Sequence, residues 1–287
     1  MRNRLTEILA DVVPCGVIMD VHNAYDIIGD IAIIRLTENS MSYRQTVAEA
    51  LMSVHRNVKT VLSQTGPVHG DFRLRKLEYA AGIGNTTTVH KEAGCLLAVD
   101  VEKCYFSPRL LFERTRIAHL VGNGETILNM FAGVGSFSIV IARHSGAEKI
   151  FSVDVNPIAI QFMQKNVRLN KVYGKVLPVL GDAGQIIKEK LNNVADRVLM
   201  PLPEKAIEYI QYALLALKKS GGWIHYYDFE HATKNEDPVE KAKSKVAKKM
   251  ESSDVVFEFA FGRIVRPTGP NWYQIALDIR VERIGKF

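Results

Sequence analysis

Two hydrophobic rhythms run along the chain, and one gives way to the other near residue 125. Upstream, Tyr25 to Leu36 (YDIIGDIAIIRL) is a β-rich apolar run with a central Gly-Asp, and Ser42 to His55 carries Val47, Leu51 and Val54 at helical spacing. A strand followed by a helix is predicted there. A short strand at Val58 to Leu62 follows, then the glycine-punctuated polar stretch Gly66 to Gly84 containing FRLRKLEY. Thr86 to His90 and Leu96 to Val101 flank the turn-forming EAGC and read as a hairpin. Residues 24–104 therefore read as a small α+β domain behind an N-terminal extension, residues 1–23. A predicted helix over Pro108 to Val121 makes residues 105–124 a connector.

From Glu125 onward short apolar strands alternate with amphipathic helices. The strands are ETILNMF, KIFSVDV, KVLPVL, ADRVLM and GWIHYYDF, and helices begin near Ser136, Pro157, Ala183 and Glu204. This is the βαβ rhythm of a parallel, doubly wound sheet, an α/β Rossmann-type domain over residues 125–287. Two last β-runs, VVFEFAFGRIVRP and NWYQIALDIRVERI, are separated by Pro267-Thr-Gly-Pro270 and predict an antiparallel hairpin closing the sheet. The lysine-rich segment Asn235 to Ser253 reads most simply as the solvated face of a helix.

Composition narrows the chemistry. A chain of 287 residues with 47% hydrophobic residues can bury a large core, and no apolar run approaches the ~20 residues of a membrane span. The N-terminus MRNRLTEILADVVP has acidic residues where a signal peptide would be apolar, so a cytoplasmic protein is expected. Three scattered cysteines, Cys15, Cys95 and Cys104, suit a reducing compartment and supply neither a disulfide framework nor a zinc site; no metal is expected. The net charge of +6 is compatible with a polyanionic partner without requiring one.

The strand ETILNMF runs into Ala132-Gly133-Val134-Gly135-Ser136 and a helix, where glycines let a ligand approach the backbone and the helix N-terminus offers free N–H groups. A purely structural tight turn would look the same. The next strand ends in Val153-Asp154-Val155-Asn156-Pro157, which sets a carboxylate where nucleoside ribose hydroxyls would lie; the third ends in Gly181-Asp182-Ala183, near an adenine amino group. Asp154 and Asp182 could instead be helix caps. Phe131, Ala132, Gly133, Gly135, Asp154, Val155, Asp182 and Ala183 form the candidate cofactor set. A dinucleotide would favour a third glycine where Ser138 stands, so S-adenosylmethionine fits better.

The ordered set FSPRLLFERTRIAHLV, NMFAGVGSFSI, VDVNP, GDA, DRVLMPLPEKA, IHYYDF and ALDIRV, with YDIIGDIAIIRL and VHGDFRLRKLEYAAG before it, resembles the archaeal and eukaryotic tRNA guanine-37 N1-methyltransferase family from about Tyr25 to Val281. The resemblance implies S-adenosylmethionine as methyl donor and the tRNA anticodon loop as partner; the sequence leaves the oligomeric state open, with a monomer favoured. It implies that Glu113 is the general base for the N1 proton and that Arg73 holds the guanine O6, roles that removing a proton and stabilising charge on oxygen both call for. Without the resemblance, Glu113 reads as an ion pair with Arg114 or Arg116 and Arg73 as a solvated loop arginine. Tyr105 and Arg109, with Arg114 beside them, are implied near the cofactor's methionine end.

Two departures stand out. The family's base-holding amide after the fourth strand is replaced by Pro201 in Met200-Pro201-Leu202-Pro203, which resembles an archaeal branch that also methylates C7 of the tricyclic wyosine intermediate. A pocket formed by Pro201, Leu202 and Pro203 with room for a larger base is then expected. Only about 24 residues precede YDIIGDIAII, so the separate N-terminal domain that many relatives set against the tRNA elbow is expected to be absent. The alternatives are a wyosine-pathway aminocarboxypropyl transferase, whose pattern departs at several of these motifs, and a non-catalytic RNA-binding protein on the same sheet.

Overall fold

A computed structural model describes residues 4–21 and 25–283. The small N-terminal layer contains α1 (Arg4–Ala10), α2 (Cys15–Val21), β1 (Tyr25–Ile28), β2 (Ile31–Ile34), α3 (Arg44–Val54), β3 (Thr60–Gln64) and β4 (Leu77–Gly82). Its four strands lie in sequence order, with β1 and β2 antiparallel, β2 and β3 parallel, and β3 and β4 antiparallel. Leu5, Leu9, Val17 and Val21 bury against Ala32, Ile34, Val47, Leu51 and Val61, so much of the predicted extension belongs to this core; residues 22 and 23 lie outside the described residues. YDIIGDIAIIRL, expected as one strand, is a two-stranded hairpin. Gly29 turns it with φ at +59°, and a Cβ there would collide with the Thr88 hydroxyl.

Beyond this layer come β5 (Thr87–Glu92), β6 (Cys95–Asp100), α4 (Leu111–Leu120), β7 (Thr126–Asn129), α5 (Ser136–His144), β8 (Lys149–Asp154), α6 (Pro157–Leu169), β9 (Val176–Leu180) and α7 (Ala183–Lys190). They are followed by β10 (Arg197–Met200), α8 (Ala206–Ala216), β11 (Gly222–His231), α9 (Pro238–Met250), β12 (Val255–Gly269) and β13 (Trp272–Arg283). β5 and β6 form a two-stranded ribbon of their own rather than extending the small sheet. The side-chain amides of Asn166 and Asn170 bond the backbone of Ala98 and Leu96, which ties the ribbon to α6. Its other side holds β1 and β2 through Thr88, whose hydroxyl donates to Asp30 at 2.5 Å. The hairpin placed within residues 24–104 thus bridges both layers.

The large sheet has the order β12-β13-β11-β10-β7-β8-β9. β7 to β11 pair in parallel, as their near-continuous apolar runs predict, and β13 and β12 add antiparallel strands at one edge. Core side chains of α4, α5 and α6 cover one face, and those of α7, α8 and α9 the other. β12 continues through Pro267 to Gly269, so the turn sits at Pro270 and Asn271 (φ +59°); Pro267 is tolerated because β12 is the edge. The lysine-rich segment is α9, which buries Ala242, Val246 and Met250. Chain order runs outward in opposite directions from β7, to β8 and β9 on one side and to β10 and β11 on the other. This opens a crevice at the carboxyl ends of β7 and β10.

Candidate active site

That crevice holds a cavity of about 240 Å³. Its wall includes Gly133 after β7, Asp154 and Val155 at the end of β8, Asp182 and Ala183 after β9, and Pro201 and Leu202 after β10. The two loop glycines have separate duties. Gly135, at φ +83°, caps α5, and a Cβ there would stand 2.6 Å from Met163 Cγ, so this glycine serves packing. Gly133, at φ +54°, has no atom closer than 3.7 Å to an added Cβ and faces the cavity. Ala132 is buried and donates its N–H to the Val153 carbonyl. It fixes the loop and touches no cavity space.

Asp154 organises this end of the cavity. One carboxylate oxygen accepts the Gly133 N–H at 2.6 Å and the other the Asn156 N–H at 2.9 Å. Burial pushes its pKa up, and these two bonds only partly oppose the rise. A carboxylate accepts about four hydrogen bonds, so acceptor capacity remains for a ligand's hydroxyl pair. Asn156, not Asp154, caps α6, by accepting from Ile158 and Ala159. Asp182 does cap α7, through Gln185, and its second oxygen accepts from the Tyr209 hydroxyl at 2.5 Å. Tyr209 in turn meets Phe131 edge-on at 5.1 Å, giving the cavity an aromatic side. Burial, then the Asp182 carboxylate, holds the Tyr209 hydroxyl well above its usual pKa, so it stays a donor.

Arg73 and Tyr105 also line the cavity, with the Arg73 guanidinium carbon 4.2 Å from the centre of the Tyr105 ring. Arg73 also pairs with Glu204 at 2.9 Å, and Lys205 with Asp71 at 2.5 Å. Both ion pairs join the small layer to the loop after β10. Pro203, expected in the base pocket, is buried and does not line the cavity. Asp71, Phe72, Asn156, Lys205 and Tyr209 do line it and were missed. Tyr209 is an ordinary α8 position in the sequence, and the loop residues become neighbours only through the cross-layer contact.

Two assignments at the cofactor's methionine end need revision. Arg109, expected at the cofactor's methionine end, turns instead to Asp26, with its Nε 2.5 Å from that carboxylate. Arg114 is buried against Glu92 and donates to the Ser107 carbonyl at 3.1 Å. These distant acidic partners draw both guanidiniums into the joint between layers and off the cavity wall. Glu113 likewise does not line this cavity. It is buried between α4 and β11, where Oε2 accepts from Arg116 and from the Tyr227 hydroxyl at 3.0 Å. Oε1 has no hydrogen bond and stands 3.5 Å from Arg263.

From Glu113 a buried polar chain runs through Arg116, Asp278, His225 and Arg197 to Glu125. Burial lowers the His225 pKa more than Asp278 raises it, so the ring is neutral and donates from Nδ1 at 2.7 Å. Burial would raise Asp278, but hydrogen bonds from His225 and Arg116, with the Arg116 charge, outweigh it and hold the carboxyl at about 2.

A glycine loop, two acidic strand ends and an aromatic side are the elements a nucleoside-bearing methyl donor requires. The comparisons agree. A model described as the TRM5/TYW2 methyltransferase domain matches residues 88–256, and one described as the TYW2 N-terminal domain matches residues 5–86. The tRNA (guanine(37)-N(1))-methyltransferase Trm5b of Pyrococcus abyssi is 39% identical over 90% of this chain and 74% of its own length. Its crystal structure superposes with a TM-score of 0.85, at 37% identity over 98% of this chain and 81% of that one. The tRNA 4-demethylwyosine(37)-methyltransferase Taw21 of Saccharolobus solfataricus is 37% identical over 91% of this chain and 95% of its own. A crystal structure of M. jannaschii TYW2 in complex with AdoMet gives a TM-score of 0.67 at 26% identity, over 91% of this chain and all of that one.

Proposed function

Since the chain belongs to the TRM5/TYW2 methyltransferase family, we propose that it methylates the purine at position 37 of tRNA, at N1 of guanosine and also at C7 of the tricyclic 4-demethylwyosine. The observation that carries this reading is the meeting of Gly133, Asp154, Asp182, Arg73 and Pro201 around one cavity at the switch point of the sheet. S-adenosylmethionine bound there supplies an electrophilic methyl group. Asp154 would accept the two ribose hydroxyls, Asp182 the adenine amino group, and Phe131 and Val155 would flank the ring.

The target base is stacked in the anticodon loop and must be extruded to react. Arg73, which lines the same cavity, is the cation for the base oxygen. Methylation at N1 also requires loss of the N1 proton, and Glu113 is the proposed acceptor. Its Oε2 accepts from Arg116 and Tyr227, and Oε1, which has no hydrogen bond and stands 3.5 Å from Arg263, is the oxygen proposed for that role. At C7 the ring carbon itself attacks and its proton leaves afterwards, so the base matters less.

Pro201 favours the second substrate, because it removes a side-chain donor from the wall, and the Saccharolobus relative named for that tricycle matches over 95% of its own length. Transfer of methyl rather than an aminocarboxypropyl group is supported by the names of the two relatives above, both methyltransferases. A binding-only role would leave the cavity chemistry without purpose. Labelled S-adenosylmethionine and two tRNA transcripts, with G or A at position 37, test the reading. Label should enter only the G transcript, and equal labelling of both would overturn position 37 as the target.

A further inference from the structure

We propose that Glu204 is a positioning residue for base recognition: it holds the Arg73 guanidinium on the cavity wall, where it stands in for the donor that Pro201 lacks. This rests on the reading of the cavity as the site of methyl transfer. Arg73 sits in a tight turn closed by reciprocal backbone bonds between His69 and Leu74, both 3.0 Å, and by the Arg73 N–H to the Gly70 carbonyl. Its φ of +54° is left-handed, a conformation that disfavours any residue with a Cβ. The turn therefore presents this one side chain inward at a conformational cost.

The guanidinium is then constrained on two sides. Its central carbon lies over Tyr105, 4.2 Å from the ring centre, and its terminal nitrogen is 2.9 Å from Glu204 Oε1. The Nε is buried and has no hydrogen-bond partner. A guanidinium fixed in this way, on the wall of a cavity that also exposes Pro201 and Leu202, is a donor that a base oxygen could meet. Glu204 itself belongs to a stiff loop. Pro201 and Pro203 restrict it, and the Leu202 carbonyl accepts the N–H groups of Lys205 and Ala206. The ion pair of Lys205 with Asp71 ties the same two loops together independently, so losing Glu204 should free the arginine without parting the loops.

The Glu204 side chain is 44% exposed, so its replacement should leave the fold intact. Glu204→Ala, Glu204→Asp, Arg73→Ala and the double variant Arg73→Ala/Glu204→Ala are compared in single-turnover methylation of tRNA bearing guanosine-37. Glu204→Ala should slow the step roughly tenfold, with unchanged S-adenosylmethionine affinity, and Glu204→Asp should recover most of the rate. The double variant should be no slower than Arg73→Ala alone. Losses that multiply, or a Glu204→Ala rate equal to or above wild type, would overturn the proposal. A second measurement does not depend on activity: in arginine-labelled protein, the Arg73 Nε–H resonance should be sharp and slowly exchanging, and Glu204→Ala should broaden it. An unchanged resonance overturns the positioning role even where methylation proceeds. An inactive wild type with the expected resonance change would sink only the methylation reading.

Discussion

Replacing Asp154 by alanine removes a carboxylate that holds the loop and, on the proposed reading, the ligand's ribose. On the loop side it strips the acceptors from the Gly133 and Asn156 N–H groups, bonds of 2.6 and 2.9 Å. An orphaned buried donor costs about 1–3 kcal/mol, although water entering the cavity can replace part of each bond. Relief of the buried charge, which already raises the Asp154 pKa, offsets some of that loss. The net change in folding stability should stay below about 2 kcal/mol. On the ligand side, two charge-assisted bonds to ribose hydroxyls are worth about 1.5–3 kcal/mol each, and even one at the low end is a tenfold change in affinity. S-adenosylmethionine should therefore bind Asp154→Ala at least tenfold more weakly in titration calorimetry, while urea unfolding shows a folded protein. A folded variant with a dissociation constant within twofold of wild type would refute the assignment.

The remaining predictions address other parts of the site. Gly135→Ala should lose about 2–4 kcal/mol in urea unfolding from left-handed strain and the clash with Met163, whereas Gly133→Ala should lose about 1–2 kcal/mol from strain alone. Glu113→Gln should slow N1 methylation by roughly 10²–10⁴-fold while retaining cofactor binding, and slow the C7 reaction less; a full single-turnover rate at N1 would exclude Glu113 as base. His225 has a lowered folded-state pKa, so the unfolded chain binds its proton first, near ~6.5. Its stabilising contribution is thus complete above that pH and is lost as the pH falls through the lowered value, while Asp278, held at about 2, changes nothing in this window. His225→Gln should flatten the fall in stability between pH 7.5 and 5.5, and an unaltered slope would contradict the neutral ring.

The large sheet was legible because parallel strands buried on both faces are written as apolar runs, RVLM in β10 being fully buried. The hairpin of β1 and β2 was not, because apolar isoleucines on both sides of Gly29 look like one continuous strand. Leu5, Leu9, Val17 and Val21 do carry a four-residue spacing, but α1 and α2 have only 7 residues each and give little periodicity. In the site, Asp154 and Asp182 could be read because they end consecutive strands. Arg109 and Arg114 could not, since what decides a guanidinium's place is its partner, and Asp26 and Glu92 lie 83 and 22 residues away. The same holds for Glu204, whose meaning comes from Arg73 across the cavity.

The central claim is methyl transfer to the purine at position 37, and nucleoside mass spectrometry tests it most directly. Purified protein and S-adenosylmethionine are incubated with tRNA bearing guanosine or 4-demethylwyosine at that position, and the digested nucleosides are identified. The account predicts 1-methylguanosine from the first and a C7-methylated tricycle from the second. Recovery of both bases unmodified, from folded protein that binds S-adenosylmethionine, would contradict it.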